Sequence, residues 1–517
     1  MGDVFVDASE GGGPVLVNRS LAPIASDGGM RVAIADGRIG ARGDTGTQGS
    51  ISSQAKCLVG AGTDVAWWKL SRSAGYLGSR ASAGTVSRGM HGVTTKRAIG
   101  VLSIIGLLFG SVPALADTIG RPEARTTDLS AEPLQGPDSA DAILRRDRQE
   151  KADVLDQNLL ENWEEWKAGI RDRTGLSFGA DYTAAGFVAT ESLGDDYAAG
   201  GIARFFGSFD LVNRDGPNTG RLEFKIEHRH SYTDTPPILF GAALGYAGTP
   251  QPVFNEDGFR TTTLYWRQDA FDDRAVFRIG FLDVKEYFNV YALASPWTGF
   301  QNLAFSTGSN TMSVLPDGAF GVMAGGYLTD SVYLAAGIVD RNTDPSAVFD
   351  GFDTFFNDFE TFRTAEIGFT SGGQRLFVDN AHIAFWEMDA SNATGAQGGR
   401  GVNVSMSSLV GANWLPFLRG AWAEGGGGVF EASVSAGFGY LDQPGGNLLG
   451  IGLNWGRPNS DTFPVDLSDQ WTAEGFYRVQ FAENIQITPS LQLLVDPALN
   501  PKDDFIAVFG LRARATF

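Results

Sequence analysis

Asp503–Phe517, DDFIAVFGLRARATF, ends the chain and decides how the rest is read. Counting back in twos from Phe517 gives Ala515, Ala513, Leu511, Phe509, Ala507 and Phe505, all apolar. Between them stand Thr516, Arg514, Arg512, Gly510, Val508, Ile506 and Asp504. A strand sends alternate side chains to opposite faces, so this segment is a ribbon with one oily face and one face that carries two arginines. A soluble sandwich edge can alternate in the same way. It seldom ends the protein on an exposed Phe with an apolar residue at every second position behind it.

The pattern repeats upstream. Leu222, Phe224 and Ile226 alternate with Arg221, Glu223, Lys225, Glu227 and Arg229. Phe205, Phe209 and Leu211 oppose Arg204, Ser208 and Asp210, and Phe277, Ile279 and Phe281 oppose Arg278. Phe430, Ala432, Val434, Ala436, Phe438 and Tyr440 oppose Glu431, Ser433 and Ser435. Trp471, Tyr477 and Phe481 oppose Glu474, Arg478 and Gln480. Each run has about the ~9–11 residues that a tilted strand needs to cross a bilayer. One such run is a weak signal, but their recurrence predicts an all-β transmembrane antiparallel barrel.

The connections sort into short breaks such as Asp272–Asp273 and Ala482–Asn484 and long ones such as Thr233–Gly258, Asp283–Pro316 and Arg341–Phe362. Short turns at one end and long loops at the other belong to such barrels. From Gly175 to Phe517, at roughly 21 residues per strand with its connection, the count comes to about 16. A barrel of that width is expected to enclose an aqueous channel rather than fill with its own side chains.

From Asp117 onward no run approaches the ~18–20 apolar residues of a spanning helix. Lys96 and Arg97, the apolar block Ala98–Val112 and the Ala114-Leu-Ala116 site read as a secretory signal over 90–116. Residues 1–89 hold the single cysteine, Cys57, and read as a non-native or disordered upstream extension. Residues 117–173 read as a polar linker followed by a short amphipathic periplasmic helix in Ser139–Arg173, and 174–517 as the barrel. That helix could remain solvated, pack at the barrel mouth or enter the lumen. The net charge of −20 argues against nucleic-acid partners.

Arg278-Ile-Gly-Phe-Leu-Asp283 with Glu286-Tyr-Phe288, Asp330–Ile338 with Asp340, Gln486-Ile-Thr-Pro-Ser-Leu-Gln492 and Gly510–Phe517 together resemble the carbohydrate-selective outer-membrane porins. The order and spacing of these motifs, from about Trp163 to the end, carry the resemblance. It implies a monomeric or homotrimeric barrel of the cell outer membrane that lets neutral sugars diffuse into the periplasm. The expected surroundings are the lipid bilayer and lipopolysaccharide. Phe509, Leu511 and Phe517 would be the signal that the barrel-assembly machinery reads.

An uncharged sugar entering a narrow channel sheds hydration, and its hydroxyls need replacement donors and acceptors. Arginine supplies donors in a fixed plane and carboxylates supply acceptors. The expected pore-lining set is Arg204, Asp210, Glu223, Lys225, Glu227, Arg229, Arg278, Glu431, Glu474, Arg478, Arg512 and Arg514, although each also suits an ordinary solvated wall position. Trp297 and Phe300 are candidates for stacking on a sugar if the Asp283–Pro316 connection folds inward. Trp266, Trp414, Trp422, Trp455 and Trp471 suit the interfacial girdles, and Trp386 is ambiguous. Phe355, Phe356 and Phe359 are expected to be buried against the rim.

No catalytic constellation is expected. His228 and His230 fall on the lipid-facing register, and no serine is marked as their partner. Two histidines without a third ligand make a poor metal site, so neither a metal nor a cofactor is expected. The alternative function is a general porin or a structural envelope barrel tethered through its N-terminal helix.

Overall fold

The computed structural model describes residues 57–61, 64–68, 134–149, 154, 160–214, 216–312, 316–372, 375–376, 378–442 and 446–517. The expected signal at 90–116 lies outside them. The chain divides into two units, Met1–Ser87 and Arg88–Phe517. Within the first, Cys57–Ala61 pairs antiparallel with Asp64–Trp68, a hairpin in a stretch that the sequence suggested to be without structure.

The second unit contains a closed barrel of sixteen antiparallel strands. Its first half comprises β1 (Leu176–Ala189), β2 (Tyr197–Val212), β3 (Gly220–Ser231), β4 (Gly258–Ala270), β5 (Ala275–Leu282), β6 (Ala319–Tyr327), β7 (Val332–Asp340) and β8 (Thr361–Thr370). The second half comprises β9 (Asn380–Met388), β10 (Gly399–Ser407), β11 (Trp414–Gly425), β12 (Phe430–Leu441), β13 (Leu448–Pro458), β14 (Gln470–Ala482), β15 (Ile485–Val495) and β16 (Phe505–Thr516). Each strand pairs with its sequence neighbour, and β16 returns to β1 in a register from Val508↔Ala189 to Thr516↔Asp181. The Phe517 N–H donates to the Ala180 carbonyl at 2.8 Å, and the Phe517 carbonyl accepts from the Ala180 N–H at 3.1 Å. The last residue is therefore part of the closing ladder, and closure leaves no open sheet edge among the described strands of the barrel.

The alternation read from the sequence sets the two faces. Phe505, Phe509, Leu511 and Phe517 are exposed on the outside, whereas Arg512 and Arg514 are buried inside. Trp414, Trp422 and Trp471 are exposed on the outer face. Trp386 points inward and stacks on Phe362, with centroids 6.3 Å apart.

Two connections and one N-terminal segment fold inward and fill what the wall cannot. Residues 232–257 include a helix, α3 (Pro237–Leu244), whose Phe240 and Leu244 pack with the inward Phe187 and Ile202. Residues 283–312 run across the interior and bury Leu293, Phe300 and Phe305 against the inner wall. Gly452 on β13 makes room for them, since a Cβ there would lie 2.8 Å from Phe305 and 3.0 Å from Phe300.

The third inward segment is N-terminal. The single helix expected over Ser139–Arg173 is two helices. The first, α1 (Ala140–Asp147), is capped by the Ser139 hydroxyl, which accepts from the Ala142 N–H. It lies inside the barrel, with Ala140, Ile143 and Leu144 against the inward Phe206. The second, α2 (Glu161–Thr174), lies on the outside, where Trp163 and Trp166 stack on each other and meet Phe178 edge-on. Gly175, at φ +83°, ends α2 in the left-handed region and turns the chain into β1. A Cβ there would meet the Asp210 carbonyl at 2.6 Å.

Candidate functional site

The inner wall carries a continuous band of charge, mainly from β1 to β5 and from β14 to β16. Its centre is Asp181, which accepts from Arg204 Nε at 2.8 Å and from Arg514 Nε at 2.7 Å. The Arg204 guanidinium lies 3.8 Å from the Trp297 ring centroid, a cation–π contact between the wall and the inward loop. Further along β3, Glu223 accepts from the Tyr265 hydroxyl at 3.0 Å, and Lys225 donates to Glu286 at 2.5 Å. Glu227 pairs with Arg229 at 2.7 Å. These side chains share one face because they stand two residues apart on a strand.

A second set holds the loop 283–312 in place. Glu474 accepts from the backbone N–H groups of Gln301 and Asn302 at 2.7 and 2.8 Å, at the start of a short 3-10 turn. Arg512 donates to the Pro296 carbonyl at 2.7 Å, and Arg478 reaches the Thr298 carbonyl at 3.4 Å. Arg419 donates to the Ser306 carbonyl at 2.7 Å. Glu366 accepts from Asn289 N–H at 2.8 Å and from the Tyr333 hydroxyl at 2.7 Å, while His382 faces Asn289 Nδ2 at 3.0 Å. Buried carboxylates and guanidinium groups thus satisfy loop backbone that no ladder pairs.

Of the expected lining residues, Arg204, Glu223, Lys225, Glu227, Arg229, Arg278, Glu474, Arg478, Arg512 and Arg514 are buried inside. Asp210 sits toward the rim, 3.2 Å from Arg221, with its side chain 29% exposed. Glu431 is elsewhere. A register shift between Phe430 and Ala432 turns Phe430 inward and leaves Glu431 outside, 3.8 Å from Arg457. A bulge inserts one unpaired residue, and a one-residue slip exchanges the faces.

Phe300 is not a free stacking surface. It is stacked on Phe305 at 4.6 Å and met edge-on by Phe417 and Phe476. Trp297 lies between Arg204 and Phe254, whose ring centroid is 6.0 Å away. Phe355 packs toward Phe320 on the outside, but Phe356 and Phe359 remain exposed, contrary to the expected burial. His228 and His230 face outward, with ring centroids 5.4 Å apart.

Sequence reading passed over Asp181, Glu366, Arg419 and His382. Alternation could have found the first three, since Ala180 and Tyr182, Ala365 and Ile367, and Leu418 and Gly420 flank them. Arg260 and Asp317, paired at 2.6 Å, join β4 to the end of the inward loop. Burial raises the Asp317 carboxyl, but Arg260, Lys285 and Arg229 outweigh it and hold the group below the usual carboxylate range. In α1, burial pushes the Asp141 carboxyl up to about 6, against the pull of Arg221.

The interior thus carries fixed donors and fixed acceptors, with the Trp297 indole buried among them between Arg204 and Phe254. Among the described residues there is no group of three or more His, Cys, Asp or Glu that could hold a metal ion.

The family model of the carbohydrate-selective porins, OprB family, matches residues 352–517. No curated protein matches the chain in sequence. Among solved structures, the high-pH structure of Pseudomonas putida OprB is similar at a TM-score of 0.55 and 14% identity, covering 69% of this chain and 97% of that one. That likeness shows the fold. The low-pH structure of the same porin aligns at a TM-score of 0.43 and 12% identity, covering 71% and 100% of the two chains. A triple mutant of the Rhodopseudomonas blastica porin aligns at 0.40 and 11%, covering 66% and 100%.

Proposed function

We propose that this chain, similar over residues 352–517 to the carbohydrate-selective porins of the OprB family, is a bacterial outer-membrane channel for the passive diffusion of neutral mono- or small oligosaccharides. The observation that carries the reading is the cluster of Asp181, Arg204 and Trp297 at the meeting of wall and inward loop. A pyranose has an apolar ring face and a rim of hydroxyls. The guanidinium and carboxylate complement the hydroxyls, and the indole, which Arg204 and Phe254 flank, would meet the ring face where the loop yields.

Passage requires that binding be weak. Each hydroxyl exchanges water for a protein partner, with a small net gain. A roughly millimolar affinity, about −4 kcal/mol, allows both entry and release. Several charges along the band, Arg204 with Asp181, Lys225 with Glu286 and Arg229 with Glu227, are already paired with one another. A charged solute would therefore have to disrupt those pairs, whereas a neutral polyol can accept and donate at their margins. The bilayer and lipopolysaccharide are the expected surroundings of the apolar outer face.

Swelling of liposomes containing the full-length protein tests the reading. Glucose and maltose should enter faster than uncharged amino acids of similar size, and Arg204→Gln should reduce that difference. Equal entry of all solutes in proportion to size would make the barrel a general pore.

A further inference from the structure

We infer that residues 134–148 are a built-in plug that occupies the hydrogen-bonding track of the lumen and must be displaced for solute to pass. The inference rests on the channel reading above and goes beyond it.

The segment makes specific bonds to inward groups along its length. The Leu134 carbonyl accepts from Arg278 at 2.8 Å, and Gln135 donates to Glu223 at 3.3 Å. The Gly136 N–H donates to the Glu286 carbonyl of the inward loop. The Asp138 carbonyl accepts from Lys225 at 3.2 Å, while its carboxylate accepts from the Ser295 hydroxyl at 2.6 Å. At the far end Asp147 takes two bonds from Arg514, at 3.0 and 2.8 Å. These wall groups are the donors and acceptors that a hydroxylated solute would use. Carbonyls and a carboxylate of the chain itself stand in for solute hydroxyls.

Two further observations fit a seated but removable element. The tip fits closely, since a Cβ at Gly136 would lie 2.5 Å from the Glu286 carbonyl oxygen. The body is held by side-chain contacts, with Ile143 and Leu144 on Phe206, and its pairing is not part of the barrel ladder. Ser295 Oγ also accepts the Trp297 backbone N–H at 3.3 Å, so one hydroxyl links Asp138 to the backbone of the loop residue that carries the indole. Withdrawal would free Glu223, Lys225, Arg278 and the surroundings of Trp297 together.

A disulfide lock tests this in the full chain carrying Cys57→Ser, which removes its single native thiol. Asp138→Cys with Ser295→Cys should oxidise readily, and planar-bilayer conductance of the oxidised form should be several-fold below that of the reduced form. A second variant lacking residues 134–149 should conduct at least as well as the reduced form and show no redox response. Failure of the pair to oxidise would contradict the docked geometry and overturn the proposal. Equal, non-zero conductance of the oxidised, reduced and deleted forms would overturn the plug and leave the channel reading standing. A deletion variant that folds but does not conduct overturns both. If the deletion does not fold, the comparison of oxidised with reduced protein decides.

Discussion

Arg514 donates to Asp181 at 2.7 Å across the seam where the last strand meets the first. Asp181 is also the partner of Arg204, so one buried carboxylate bridges two guanidinium groups at the closure of the barrel, and Arg514 is paired with Asp147 as well. Asp181→Asn removes the charge and leaves both arginines buried. Breaking a buried pair in this way costs about 3–5 kcal/mol. The expected result is a clear drop in the temperature at which the folded barrel loses its compact gel mobility, whereas the exposed pair Arg400–Glu424 should tolerate Glu424→Gln with little change.

Glu474 is a positioning residue for the inward loop. Its two oxygens receive two backbone N–H groups, and Glu474→Gln turns one of those oxygens into a donor facing a donor. Hydrogen bonds to a charged group contribute about 1.5–3 kcal/mol. The variant should keep its fold and show a noisier open-channel current and weaker sugar block, as read in single channels.

Trp297→Ala removes the indole that Arg204 covers. If the ring is the platform for solute, the dissociation constant for sugar should rise about tenfold, equivalent to about 1.4 kcal/mol. The same substitution at Trp414, on the outer face, should leave sugar binding unchanged. Current-noise titration with maltose compares the two.

Gly452→Val tests how the loop is seated. The added carbons meet Phe305 and Phe300, which are packed on all sides. Overpacking of this kind costs about 1–3 kcal/mol, so the variant should unfold at lower denaturant with its pore altered.

Acidity should tighten the plug. The Asp141 carboxyl has its ordinary value near 3.8 and is pushed up to about 6 where it is seated, facing Arg145, Arg221, Arg267, Arg148 and Glu223. Seating therefore favours the protonated form. That contribution is fully present below about 3.8 and is lost as the pH rises through about 6. Conductance should increase from pH 5 to pH 7, and Asp141→Asn should flatten that dependence.

The barrel was legible because every strand repeats one rule, apolar outside and polar inside, and period two leaves little freedom once one face is oily. Phe517 and Arg514 alone orient the closing strand. Glu431 was misplaced because a bulge at Phe430–Ala432 has no signature in alternation; the run looks regular and only its pairing is shifted. Glu474 was rightly placed on the inner face, but its partners belong to a loop 172 and 173 residues away in sequence, which no local pattern encodes. The break between α1 and α2 was hidden for a related reason. Ile143, Leu144, Trp163 and Trp166 all recur at helical spacing, yet the first pair packs on Phe206 inside and the second on Phe178 outside. Helical periodicity reports an apolar face and not which surface will cover it.

The most direct test is single-channel conductance of the full-length protein in a planar bilayer, with glucose, maltose, glycine and acetate titrated in turn. The account predicts saturable block by the two sugars at millimolar concentration and little effect of glycine or acetate. Steady channels that no sugar blocks would contradict it.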